Sequence, residues 1–108
     1  MSGVRVCAAS EVPAGEARRV EVGGREIAVV NLGEDGFRAI DAVCSHAQYY
    51  LDEGEVDVEE GTIECPKHGS TFDLETGRPR SLPAIQPVEV HEVTVIDDDV
   101  VIEVRNGE

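Results

Sequence analysis

Cys44-Ser45-His46 and Cys65-Pro66-Lys67-His68 are the two stretches whose reading decides this chain. Each offers one thiolate and one imidazole, with one residue between them in the first stretch and two in the second. Eighteen residues lie between His46 and Cys65. Two sulfurs and two nitrogens suit a single tetrahedral structural zinc. They also suit the two irons of one cluster, with both thiolates on one metal and both imidazoles on the other. The donor set by itself leaves both arrangements open.

A thiolate and an imidazole this close in sequence can both turn inward only where the backbone bends tightly. Ser45 in one stretch and Pro66-Lys67 in the other permit such a bend. Gly69, directly after His68, removes a side chain where the backbone must pass close to a bound group.

The rest of the composition narrows the field. A chain of 108 residues is enough for one domain and too short for two ordinary ones, so residues 1–108 are expected to form a single unit. With no Trp, two Phe and two Tyr, its core must come mainly from Val, Ile, Leu and Ala. Three cysteines are an odd count for a disulfide scaffold and favour metal ligation in a reducing compartment. The N-terminal stretch has no long apolar run, so neither a secretory signal nor a membrane span is expected, and the cytoplasm is the expected location. A formal charge of −14 repels phosphate backbones and anionic membranes, which argues against nucleic-acid and membrane partners. The same charge attracts a basic protein partner or simply keeps a small protein dispersed.

Short β-rich runs dominate the chain. Val4 to Cys7, Ala17 to Val22, Arg25 to Asn31 and Phe37 to Ile40 read as successive strands, with Gly23-Gly24 as a hairpin turn. Val43 to Leu51 reads as the loop of the first ligand pair, and Thr62-Ile63-Glu64 as a strand leading into Cys65. Thr71 to Leu74 should return as its hairpin arm. Pro79, Pro83 and Pro87 punctuate an extended passage. Val88 to Ile96 and Val100 to Val104 form a last hairpin through Asp97-Asp98-Asp99, packing an apolar face onto the base of the fold.

Taken together, Cys44-x-His46, Leu51, Cys65-Pro66-x-His68-Gly69-Ser70-x-Phe72-Asp73, Thr76-Gly77 and the Pro83 segment resemble the Rieske domain family. The likeness is closest to the small Rieske ferredoxins that serve ring-hydroxylating dioxygenases. It implies an all-β Rieske fold: an antiparallel β-sandwich of small stacked sheets, with a cluster-binding subdomain at about residues 43–83. It also implies one Rieske-type [2Fe–2S] cluster, with Cys44 and Cys65 on the inner iron and His46 and His68 on the outer iron through Nδ1. Pro83 would lie in a third loop shielding the cluster.

Departures from the family carry information as well. High-potential members have an additional cysteine in each ligand loop, and the pair forms a disulfide. Tyr49 and Lys67 occupy the matching positions here, so the resemblance implies that this brace is absent. Ser70 matches a serine that donates to a cluster sulfur, whereas Phe72 stands where high-potential members carry a tyrosine donor. Fewer donors stabilise the reduced cluster less, so a ferredoxin-like lower potential is expected.

The function implied is one-electron carriage from a flavin-dependent ferredoxin reductase to a Rieske non-haem iron oxygenase, by a monomer with transient partners and no substrate turnover of its own. Two alternatives share the cofactor: a small subunit of an assimilatory nitrite reductase, and a ferredoxin of another metabolic or iron–sulfur assembly system. A zinc-bearing interaction module is the rival from a different class.

Several residues outside the ligand set call for plainer roles. Cys7 is expected in the core and His91 on a solvent-facing side of its strand. Tyr49 and Tyr50 suit packing beside the cluster, contact with a partner or plain loop packing. Lys67, the only lysine, suits exposure, charge offset or partner contact. Asp73 and Glu75 suit turn stabilisation and surface charge in preference to acid–base work. Asp52, Glu53, Glu55, Asp57, Glu59, Glu60 and Glu64 form either a partner-recognition patch or an ordinary solvated segment.

Overall fold

Ile27, Ala28, Val29 and Val30 are four consecutive residues with no exposed surface, a pattern that requires apolar packing on both faces of one strand. The computed structural model describes residues 3–44, 49–66, 69–80 and 86–104. It shows how that double burial arises. The four residues lie in β3 (Arg25–Asn31), the inner wall between two cores. Ile27 and Val29 point into one core, and Ala28 and Val30 into the other, as the two-residue period of a strand dictates.

The strands preceding and following β3 are β1 (Val4–Ala8), β2 (Ala17–Val22) and β4 (Phe37–Asp41). After the acidic segment come β5 (Val56–Asp57), β6 (Thr62–Glu64) and β7 (Thr71–Asp73). The last hairpin is β8 (Val90–Ile96) and β9 (Asp99–Glu103). All pairings are antiparallel. One sheet has the order β1-β9-β8-β4-β3-β2, and the other the order β5-β6-β7. Among the described residues there is no α-helix, only three short 3-10 turns.

β8 explains the curl of the larger sheet. Val90 and His91 pair with β4, while Glu92 to Ile96 pair with β9. The sheet therefore bends about β8 and brings β1 back into contact with β2. The space enclosed is the second core, built on Cys7, Val12, Ile27, Val29, Ala39, Val100 and Ile102. Cys7 is buried there, as its apolar strand position predicts.

On the opposite face, Ile63 and Phe72 of the smaller sheet, with Leu51 and Leu74 from the segments flanking it, share a core with Ala28, Val30 and Ile40. Each large apolar side chain fully buried there contributes about 1.5–3 kcal/mol relative to exposure. This first core also contains Cys44 and Cys65. The sandwich thus forms where the two cysteine-bearing loops leave their sheets.

Two sequence expectations change here. The acidic segment contributes a short edge strand, β5, because Val56 can turn its side chain onto the first core. His91 is buried, with 2% of its surface exposed, and does not face solvent. The apolar alternation on its strand misleads because β8 has a core on both sides: Val90 packs on the first, Val93 on the second.

Candidate metal centre

Both cysteines begin hairpin loops of matching construction. Val43 pairs with Tyr50 across an isolated bridge, and between them the Cys44 N–H donates to the Tyr49 carbonyl at 2.9 Å. In the second loop Glu64 pairs with Thr71, and the Cys65 N–H donates to the Ser70 carbonyl at 2.7 Å. Each loop is therefore closed by the N–H of its own cysteine, bonded to the carbonyl five positions on. A turn held this way leaves the thiol free to point where packing directs it.

Packing directs both thiols inward. Cys44 is 4% exposed and Cys65 1%, within the same apolar cluster as Leu51 and Phe72. Neither forms a disulfide, nor does Cys7. Soft sulfur donors held in a water-poor core, outside any disulfide and each at the head of a closed loop, fit a thiolate-ligated cluster. His46 and His68 lie outside the described residues, as do Lys67 and Pro83.

Around the second loop, Gly69 has φ +78° and donates its N–H to the Cys65 carbonyl at 3.0 Å. The left-handed conformation is what calls for glycine there. The nearest atom to an added Cβ is the flexible carboxylate of Glu64 at 3.2 Å. Ser70 and Phe72 follow with no exposed surface.

The first loop is braced from β2 and β3. Tyr50 packs on the first core, and its hydroxyl donates to Glu26 Oε1 at 3.1 Å. The Arg19 guanidinium lies 3.6 Å from the Tyr50 ring centroid, a cation–π contact. Tyr50 thus serves as loop packing, whereas Tyr49 and Val43 are exposed beside it. Ala42 donates to the Glu26 carbonyl at 3.0 Å and accepts from the Leu51 N–H at 2.6 Å, fixing the root of the loop.

The acidic segment is only partly free. Glu60 accepts from Arg80 Nη1 at 3.1 Å, and Arg80 also lies 3.5 Å from Asp73. Glu55, Asp57 and Glu59 are exposed. Asp73 Oδ1 accepts the N–H groups of Glu75 at 2.8 Å and Thr76 at 3.1 Å, the turn-stabilising work its position predicts.

A feature the sequence did not reveal lies at the end of β4. His91 Nε2 sits 2.8 Å from Asp41 Oδ1. Arg25 reaches the same carboxylate with Nε at 3.0 Å and Nη2 at 3.1 Å. Burial alone would push the Asp41 carboxyl up. The hydrogen bonds and charges of His91 and Arg25 outweigh it and hold the group below the usual aspartate value.

An antiparallel sandwich with a buried cysteine, in no disulfide, at the head of each of two closed loops fits the class of proteins that hold a metal centre. Residues 2–96 match the Rieske [2Fe-2S] domain, and the chain belongs to that family, whose cofactor is a Rieske-type [2Fe–2S] cluster. The ferredoxin component of biphenyl 2,3-dioxygenase from Rhodococcus jostii (strain RHA1) is 34% identical over 107 residues, covering 99% of this chain and 97% of the relative. Among solved structures, the ferredoxin of carbazole 1,9a-dioxygenase from Nocardioides aromaticivorans IC177 is 36% identical, with a TM-score of 0.89. That match covers 94% of this chain and 97% of the other. A chain in a complex of reduced oxygenase and oxidized ferredoxin in carbazole 1,9a-dioxygenase is 40% identical, with a TM-score of 0.84. It covers 93% of this chain and 100% of that one. Among the described residues, no helix is long and apolar enough to cross a membrane.

Proposed function

We propose that this chain is the ferredoxin component of a Rieske non-haem iron oxygenase system, carrying one electron at a time from a flavin-dependent reductase to the oxygenase. The observation that carries this reading is the pair of buried cysteines, neither in a disulfide, each closing its own hairpin loop within one core. Support for the oxygenase side comes from relatives matched over nearly their whole length that are named as ferredoxin components of dioxygenases.

In this proposal residues 1–108 act as one unit, with the cluster subdomain at about residues 43–83. Cys44 and Cys65 hold one iron, and His46 and His68 hold the other. When bound, the cluster supplies a one-electron couple whose potential lies above that of all-cysteine plant-type centres. The protein's own work is positional. The Cys44 and Cys65 N–H groups close the loops, and the first core keeps water from the thiolate side. Val43 and Tyr49 present an exposed apolar rim beside the first loop. No substrate turnover is assigned to the chain alone, since the cluster itself is the reacting group. The cytoplasm is the proposed location, and docking is brief because a carrier must leave its partner.

The test is direct. Purified protein should contain iron and acid-labile sulfide in equal amounts and show a visible spectrum that changes on dithionite reduction. Stopped-flow mixing with a flavin-dependent ferredoxin reductase and a Rieske oxygenase should show the electron passing through it. Stoichiometric zinc without sulfide would reject the reading. Gel filtration separates a free carrier from a fixed subunit of a larger enzyme.

A further inference from the structure

Asp41, Arg25 and His91 meet where β4 hands the chain to the Cys44 loop. They come from three neighbouring strands, β4, β3 and β8. The His91 side chain has no exposed surface, and its Nε2 lies 2.8 Å from Asp41 Oδ1. Arg25 engages both carboxylate oxygens, and the Asp41 N–H donates to the Glu89 carbonyl at 2.9 Å. The last residue of β4 is thereby fixed through side chain and backbone, three positions before Cys44.

The Asp41 and His91 side chains lie on the second-core face of their strands. Asp41 pairs with Ile27, and His91 pairs with Ala39. Ile27 and Ala39 belong to the second core, whereas Cys44 belongs to the first. Directly opposed residues share a face, so the three polar side chains grip β4 from the side opposite the thiols. A partly buried ionic group is a poor source of net stability, because apolar side chains of similar volume often serve as well. What a directional, two-pronged carboxylate contact adds is fixed geometry. The strand gripped this way leads through Ala42, itself held by Glu26 and Leu51, into the closed loop.

We infer that His91 and Arg25 are positioning residues for the redox centre, acting through Asp41 to set how the Cys44 loop leaves β4. The inference rests on the Rieske reading, in which Cys44 is a ligand. Neither residue needs to touch the bound group. Their effect is on the placement of one sulfur donor, and hence on the symmetry and potential of the centre.

The experiment uses holo-protein of wild type, His91→Leu, His91→Gln and Arg25→Gln, each matched for iron and sulfide. Readouts are the electron paramagnetic resonance spectrum of the dithionite-reduced protein, the potential by protein-film voltammetry, and the thermal midpoint. His91→Leu and Arg25→Gln should shift or broaden the resonance and move the potential. His91→Gln, which keeps a donor toward Asp41, should restore both toward wild type. Variants that lose thermal stability but keep the wild-type resonance and potential would make the Asp41–Arg25–His91 contacts mere scaffold and overturn the inference. Arg25 is partly exposed, so Arg25→Gln decides the matter if His91→Leu fails to assemble. A wild-type protein without iron and sulfide would defeat the Rieske reading itself, which keeps the two failures apart.

Discussion

Gly54 stands directly against the carbonyl oxygen of Glu64, the residue immediately before Cys65. The contact ties the acidic segment to the strand that delivers the second cysteine, and the Glu64 N–H donates to the neighbouring Glu55 carbonyl at 2.8 Å. The backbone of Gly54 is in ordinary extended conformation, with φ −90°. Steric closeness therefore excludes a side chain, not backbone handedness.

Gly54→Ala should consequently act as an overpacking substitution, costing about 1–3 kcal/mol. For a domain of this size each kcal/mol lowers the melting temperature by about 4–8 °C. Because the displaced atom is one residue from Cys65, iron content should fall together with the melting temperature. An alanine variant with unchanged melting temperature and full iron would show that the contact is readily relieved.

The Arg80 contacts divide the acidic segment into paired and unpaired charges. Glu60 is engaged by Arg80, while Glu59 is exposed beside it with no ion pair among the described residues. If the segment steers a basic partner, Glu59→Lys should slow reduction by that partner at low salt, and the difference should shrink as salt rises. Glu60→Lys places a cation beside Arg80 and should reduce stability as well as the rate. Exposed ion pairs of this type contribute about 0–1 kcal/mol, so that loss should be small. Equal stopped-flow rates for wild type and Glu59→Lys across salt concentrations would remove the segment from partner recognition.

Much of the scaffold was legible because local turn chemistry and strand period agree. Ala17–Val22 and Arg25–Asn31 flank Gly23-Gly24 at the bounds the sequence suggests. Thr62–Glu64 runs straight into Cys65, as expected. At the far hairpin the structure places the turn at Asp97 and Asp98, both with positive φ, and starts β9 at Asp99. Aspartate tolerates that region better than most side chains. The two cysteines that the short motifs single out, Cys44 and Cys65, lie in one core.

What escaped the sequence depends on partners distant along the chain. His91 finds Asp41 fifty positions away, and nothing local to Val90-His91-Glu92 encodes that pairing. A period of two reports a change of face, not whether the other face is wet. On β8 both faces are covered at Val90–His91, so the inference from alternation to exposure fails there. Loop packing was among the roles legible for Tyr50, but its anchors Arg19 and Glu26 escaped for the same reason, since they lie on β2 and β3.

Asp41 and Asp52 should respond to acid in opposite directions. Asp41 has a depressed folded-state value, so its stabilisation is complete above the ordinary aspartate value of 3.8 and is lost as pH falls through the lower folded value. Asp52 is pushed up, chiefly by burial, and its Oδ1 is buried with no hydrogen-bond partner among the described residues. Its charge therefore costs stability at neutral pH, and that cost disappears as pH falls below 3.8. Asp41→Asn should lower the thermal midpoint at neutral pH, and Asp52→Asn should raise it. Both differences should narrow on acidification. A destabilised Asp52→Asn at neutral pH would contradict the sign argued here.

Ser70 carries the last prediction. Its side chain is fully buried, its carbonyl closes the Cys65 loop at 2.7 Å, and Phe72 lies two residues on in the same core. If the Ser70 hydroxyl donates to a sulfur of the centre, it stabilises the more negative, reduced form and raises the potential. Phenylalanine at position 72 has no hydroxyl with which to add a second donor. Wild type should therefore show a low, ferredoxin-like potential, and Ser70→Ala should lower it further, with a stability loss of about 1 kcal/mol from the missing hydrogen bond. Phe72→Tyr should raise the potential if the added hydroxyl finds a sulfur, at an overpacking cost of about 1–3 kcal/mol. Protein-film voltammetry on the three proteins reads these shifts. A strongly positive wild-type potential, or a Ser70→Ala variant that matches wild type, would mean that donors other than Ser70 set the couple.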